Sequence, residues 1–196
     1  ITSVDFHWYL DTSHGADYFR RWHRLVECSG SLWVHKASHH FDLLNWWIDS
    51  DPESVYALGS LDHYGKNGTF RAENCRTCPH TSKCKFYYDI TRNQNYMDLY
   101  VANEKYDGYL RDGCVFKNDV NIFDKMAATI RYKNGVQVAY SLTTYSPYEG
   151  YRIAFNGTKG RLEAWIQESR PTSDVNFDEL VLFKNFGKRE YIQIPF

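Results

Sequence analysis

The sequence predicts an α+β fold, a mainly antiparallel open β-sheet with helices packed on one face. Three observations carry this. Helical spacing is concentrated in the first quarter of the chain, alternation of period two dominates the second half, and turn signals separate the alternating runs. "SVDFHWYL", residues 3–10, opens the chain as a strand, with Asp5, His7 and Tyr9 on one face and Phe6, Trp8 and Leu10 on the other. "DTSHGADYFRRWHRLVE" follows as a loop and a short helix. Ser29-Gly30-Ser31 offers an N-cap for a helix running through Trp47, which "DSDP" ends. "SVYALGSLDHY", residues 54–64, reads as the second strand.

Residues 65–120 are irregular, rich in Asn, Tyr, Cys and Asp, and look like an insertion that needs its own staple. From residue 124 the pattern is β throughout. "DKMAATIRYKNGVQVAYSLTTY" predicts a hairpin turning at Asn134-Gly135. "YRIAFNGTKGRLEAWIQ" predicts a second strand pair around Asn156–Gly160, and "ELVLFKNF" and "REYIQIPF" complete the sheet.

With 196 residues the chain suits one domain, and its net charge of -1 exerts no general pull on nucleic acid or acidic membrane. No apolar run approaches the ~20 residues that span a bilayer. Aromatics make up 17% of the chain, enough for a core and for a surface on which sugar rings stack. The chain opens in mid-strand on Ile1, as expected of a piece of a longer protein.

"HKASHHFDLLNWW", residues 35–47, concentrates titratable groups among large apolar ones. At ~100° per residue, His35, His39, Asp42 and Trp46 fall in one stripe, with Lys36, His40, Leu43 and Trp47 beside it. Spacings of three and four bring His35, His39 and Asp42 within reach of each other. A histidine beside a carboxylate has a fixed tautomer and titrates near neutral pH, which suits proton exchange with a hydroxyl. Lys36 can bind the same oxygen or a neighbouring one. The spacing also matches helical zinc ligands, the basis for a metal-dependent hydrolase reading, although no Glu lies between the histidines as in H-E-x-x-H.

This segment resembles the active-site helix of the Gfo/Idh/MocA oxidoreductases, in which an acid, often a Lys, then a His and an Asp recur at these intervals. The His falls at His39, the Asp at Asp42 and the Lys at Lys36; the family's acidic position is His35, a departure. The entry strand "ITSVDF" and "YRIAFNGTKGRLE" extend the resemblance over most of the chain, with the insertion matching least. It implies the C-terminal, substrate-side domain of a NAD- or NADP-dependent oxidoreductase acting on a sugar or polyol. His39 would be the general acid/base, Asp42 its orienter, and Lys36 and His35 substrate contacts or tuning groups.

The resemblance further implies an N-terminal Rossmann domain as partner and homo-oligomers formed through the sheet. No G-x-G-x-x-G lies in this chain, so alone it is expected to be inactive and to leave the cofactor to that other domain. The runner-up reading is a stand-alone carbohydrate-binding or dimerisation module. His14, Tyr18, Arg21 and Trp22 are further sugar-contact candidates, since aromatic faces stack on sugar rings while Arg and His bond hydroxyls or a carboxylate. Tyr18 and Trp22, at helical spacing, can equally cement a helix to the core.

Cys75-x2-Cys78-x5-Cys84, with Cys114 further on, lies in the insertion. Four thiolates suffice for a structural zinc ion, and similar cysteine clusters recur in a subset of the resembled family. Disulfides, or His80 replacing one cysteine, are the alternatives, with iron–sulfur ligation behind them. The expected compartment is the cytoplasm, or the periplasm if the cysteines pair.

Overall fold

The computed structural model describes residues 1–169 and 177–195; Phe196, expected at the end of the last strand, lies outside them. Two units divide the chain, one comprising residues 1–12, 36–60 and 125–196 and the other 13–35 and 61–124.

The first unit is built on eight strands: β1 (Ser3–Asp11), β2 (Pro52–Ser60), β3 (Lys125–Tyr132), β4 (Gln137–Ser146), β5 (Glu149–Gly157), β6 (Gly160–Ser169), β7 (Phe177–Lys184) and β8 (Arg189–Pro195). They form one sheet in the order β2-β3-β4-β1-β5-β6-β7-β8. Every neighbouring pair is antiparallel except β1 and β4, which run parallel. The alternation of β1 is realised in full, since Val4, Phe6, Trp8 and Leu10 are buried and the residues between them half-buried. Asn134 and Gly135 make the predicted turn between β3 and β4, with Gly135 at φ 88.

Where one helix was expected from Ser31 to Trp47, two are found. In chain order the helices are α1 (Thr12–Arg20), α2 (Val26–Ser29), α3 (Ser31–His35), α4 (Ala37–Ile48), α5 (Gln94–Leu99) and α6 (Glu104–Asp107). Lys36, between α3 and α4, has φ -108 and ψ -49 and no side-chain cap. The Lys36 ammonium lies 5.2 Å from the centre of the Trp8 ring, a tertiary contact that helix propensity does not encode. α4 lies on one face of the sheet, where Ala37, His40, Leu44 and Ile48 are its buried stripe. It is pinned by Trp47 edge-on to Phe6 and Phe155 and by the Tyr132 hydroxyl 2.8 Å from Asn45 Oδ1.

The second unit replaces regular structure with side-chain hydrogen bonds. The Asp124 carboxylate is fully buried and accepts backbone N–H groups from Asp62, His63 and Tyr64. This accounts for β2 ending at Ser60 rather than continuing to residue 64 as expected. Asp112, also fully buried, accepts from the backbone and guanidinium of Arg76, which also pairs with Glu104. The region 65–120 is irregular as expected, and these carboxylates are its staples. No helix among the described residues is long and apolar enough to cross a membrane.

Candidate functional site

α4 gives two consecutive histidines opposite environments. His40 enters the sheet: it is 1% exposed, stacks on Trp8 with ring centroids 4.0 Å apart, and places Nδ1 2.8 Å from the Tyr140 hydroxyl. Burial first, and then the Lys36 and His39 charges, pull its pKa down to about 3, so the ring is neutral. Its Nε2 and the Trp8 indole N–H are buried without a hydrogen-bond partner among the described residues. Trp8 in turn stacks on Tyr151, with centroids 4.8 Å apart. Of the titratable groups at 35–47, then, it is His40 that lies among the core aromatics.

His39 and Asp42 lie on the opposite, exposed stripe of α4 with Trp46. Lys36 is half-buried at the head of the helix, where its carbonyl accepts the His39 backbone N–H at 3.3 Å. The helix is therefore held by its His40 face while His39 and Asp42, three residues apart, face outward.

His35 belongs to the second unit, together with His14, Tyr18, Arg21 and Trp22. These five do come together. His14 stacks on Tyr18 at 5.3 Å, and both Tyr18 and Trp22 stand edge-on to His35 at 5.7 and 5.6 Å. Sequence reasoning missed the group that organises them, His23, which is 6% exposed. It stacks on Trp22 at 3.8 Å and lies 4.3 Å from His35, centroid to centroid. Burial, then the His35 and Arg21 charges, bring the His23 pKa down to about 4. Asp17 was missed too. One of its carboxylate oxygens lies 2.6 Å from buried Arg111 and the other 3.4 Å from Arg21, whose Nε donates to the Tyr109 hydroxyl at 2.9 Å. Asp17 is four residues from Arg21, a visible helical pair; Arg111 lies 94 residues away and left no local signal.

The cysteines differ from expectation in one respect. All five are free, and among the described residues no three His, Cys, Asp or Glu side chains are gathered closely enough to hold a metal ion as they stand. Neither a formed zinc site nor a disulfide is therefore present. Cys75, Cys78, Cys84 and Cys114 nonetheless line one cavity of about 10 Å³ in the second unit, and burial pushes the Cys75 and Cys84 thiols up. A larger groove, about 810 Å³, lies in the first unit along Trp47, Phe155, Leu162 and Leu182, and includes none of the residues singled out for chemistry.

Residues 1–178 match the family model described as "Oxidoreductase family, C-terminal alpha/beta domain" of the Gfo/Idh/MocA proteins. The chain is 39% identical over 177 residues to YteT of Bacillus subtilis (strain 168), which carries an oxidoreductase name; the match covers 84% of this chain and 41% of YteT. Among solved structures, levoglucosan dehydrogenase in complex with NADH and levoglucosan aligns over 100% of this chain and 40% of its own, at TM-score 0.57 and 13% identity. KijD10, a 3-ketoreductase from Actinomadura kijaniata in complex with NADP and TDP-benzene, aligns over 100% and 41% at TM-score 0.51 and 12% identity. The structural likenesses speak for the fold. The chain spans about two fifths of the length of these relatives.

Proposed function

This chain belongs to the Gfo/Idh/MocA oxidoreductase family as its C-terminal α/β domain, and we propose that it is the substrate-binding and proton-transfer part of a NAD- or NADP-dependent enzyme acting on a sugar or polyol. The observation that carries this reading is the two-faced α4. Its inner face is locked by His40 against Trp8 and Tyr140, which fixes the helix while His39 and Asp42 are left open to a ligand. His39 takes the proton from a substrate hydroxyl as that carbon is oxidised, or returns it in the reverse direction. Asp42, three residues on, orients the imidazole, and Lys36 holds the substrate oxygen or its neighbour. In the second unit, Tyr18 and Trp22 offer faces to a sugar ring, while His14, Arg21 and His35 offer hydrogen bonds to hydroxyls or a carboxylate.

The nicotinamide cofactor, when bound, supplies the hydride transfer, and a dinucleotide-binding domain of the longer protein would hold it. The relatives named with NADH and NADP support this assignment, as does the two-fifths span of this chain on them. With no Gly-rich phosphate loop of its own, the chain alone turns nothing over.

The test is a kinetic one on the intact enzyme, screened with sugars and polyols against NAD⁺ and NADP⁺. His39→Ala is expected to lower kcat by about 10²–10⁴-fold, the usual size of a general acid/base contribution, with nicotinamide affinity unchanged. A near-wild-type kcat would remove His39 from this role.

The sheet face away from α4 favours a second, compatible role in homo-oligomer assembly. Trp165 lies there 45% exposed, with the Arg152 guanidinium 4.2 Å from its ring centre. Trp165→Glu should shift the intact protein toward monomer in sedimentation velocity, and an unchanged distribution removes this face from assembly.

A further inference from the structure

We propose that the cavity between Cys75, Cys78, Cys84 and Cys114 is a structural site for one thiophilic divalent ion of the zinc class. Four of the chain's five cysteines, from three separated stretches, converge on it. The cavity of about 10 Å³ is the size of a single small guest.

Its walls are built to bring sulfurs together. An isolated antiparallel bridge pairs Asn74 with Gly113, which sets Cys75 opposite Asp112 and Cys114 opposite Glu73 and leaves the two cysteines as diagonal neighbours across the bridge. The Cys75 N–H donates to the Asp112 carbonyl at 2.9 Å, and the Cys114 N–H to the Glu73 carbonyl at 3.2 Å. Only glycine fits at 113, because a Cβ there would lie 2.4 Å from the Arg20 carbonyl oxygen.

Every sulfur also accepts a hydrogen bond. The backbone N–H two residues on donates to it at three cysteines: His80 to Cys78 and Phe116 to Cys114, both at 3.4 Å, and Phe86 to Cys84. The fourth, Cys75, accepts from the Arg20 guanidinium at 3.3 Å and from the Tyr88 backbone. A buried thiol does not need this arrangement. A metal-bound thiolate does, since outer hydrogen bonds orient the ligands and offset their charge. The surrounding unit has helices of six residues or fewer between Leu61 and Asp124 and a single isolated bridge among its described residues, so an ion would add a further staple beside its buried carboxylates.

Binding is a contraction of the four sulfurs from the cavity walls onto the ion. Each S–H bond breaks, its proton goes to solvent, and the sulfur lone pair goes to the metal. One divalent ion and four thiols thus yield a tetrathiolate of net charge -2 and four protons, with no change of oxidation state. Arg20 is positioned to offset part of that charge.

The test uses the intact protein, stripped with a chelator and titrated with Zn²⁺, with Co²⁺ as the spectroscopic probe. Expected are one ion per chain and the sulfur-to-cobalt charge-transfer bands of a tetrahedral thiolate site. Zn²⁺ should protect four thiols from alkylation while exposed Cys28 still reacts. Arg20→Gln should weaken Zn²⁺ about 10–100-fold, the usual effect of removing an outer-shell partner. Cys28→Ser should change nothing. Alkylation of all five thiols at the same rate with and without Zn²⁺, or no cobalt–thiolate bands in folded wild-type protein, would overturn the proposal.

Discussion

His39 and His40 are neighbours in sequence, and the fold separates what they can do. His40, with its pKa near 3 in the folded chain and near 6.5 unfolded, is a base that folding keeps neutral. Above pH 6.5 neither state is protonated there and the full stability is present. As pH falls from about 6.5 toward 3 the unfolded chain takes up a proton that the folded one refuses, and stability declines. The loss is on the order of 3–5 kcal/mol, levelling off near pH 3; His23, with its pKa near 4, adds a smaller decline over the upper part of that window. Urea midpoints measured between pH 7 and 4 should fall, and His40→Leu should flatten the slope even though it lowers the starting stability. An equal slope in His40→Leu would show that other groups set it. Helical arithmetic put His35, His39, Asp42 and Trp46 on one stripe; the structure exposes the last three on α4, while His35 is half-buried at the end of α3, beyond the break at Lys36. That arithmetic gave no sign that His40 stacks on Trp8, because that contact depends on where β1 lies in the sheet.

Among the elements, local patterns predicted the strands and hairpins, and distant contacts set the exceptions. Asn134-Gly135 was readable because a tight hairpin needs positive φ; the bulge between Glu149 and Gly150 was not, because it arises only against β6. These two glycines therefore differ in what they tolerate. Gly135 has φ 88 and open space around it, so Gly135→Ala should cost roughly 1–2 kcal/mol of backbone strain. Gly150, at φ 144, would place a Cβ 2.1 Å from the Ile166 carbonyl oxygen, and Gly150→Ala should cost more than about 3 kcal/mol. Urea unfolding of the two variants orders them, and equal costs would mean the β5–β6 backbone yields. The break at Lys36 belongs with the bulge: nothing in "VHKAS" stops a helix, and the residue instead answers to the Trp8 ring.

At the scale of the whole molecule, the sheet has its two edges at β2 and β8, and both carry exposed apolar residues: Val55, Tyr56 and Leu58 on one, Tyr191, Ile192 and Ile194 on the other. Its centre is β1 and β4, with Phe6, Leu10, Tyr140 and Leu142 nearly inaccessible. Amide hydrogen exchange should accordingly be slowest in β1 and β4 and fastest at β2 and β8. Slow exchange at β2 instead would show that the edge is covered in solution. The strand set was legible from alternation. The order was not, since a parallel pairing of the first strand with one that starts 134 residues later has no local signature.

That parallel pairing also sets a timetable. Ser3 finds its partner at Gln137, and the next neighbour, β5, follows later still. During synthesis at ~5–20 residues per second, β1 leaves the ribosome well before either of its partner strands and waits on the order of ten seconds with both edges open. Its Phe6, Trp8 and Leu10 are apolar throughout that wait, when a chaperone or another nascent chain can reach them. The central strand of the finished sheet is thus the most vulnerable segment of the unfinished one.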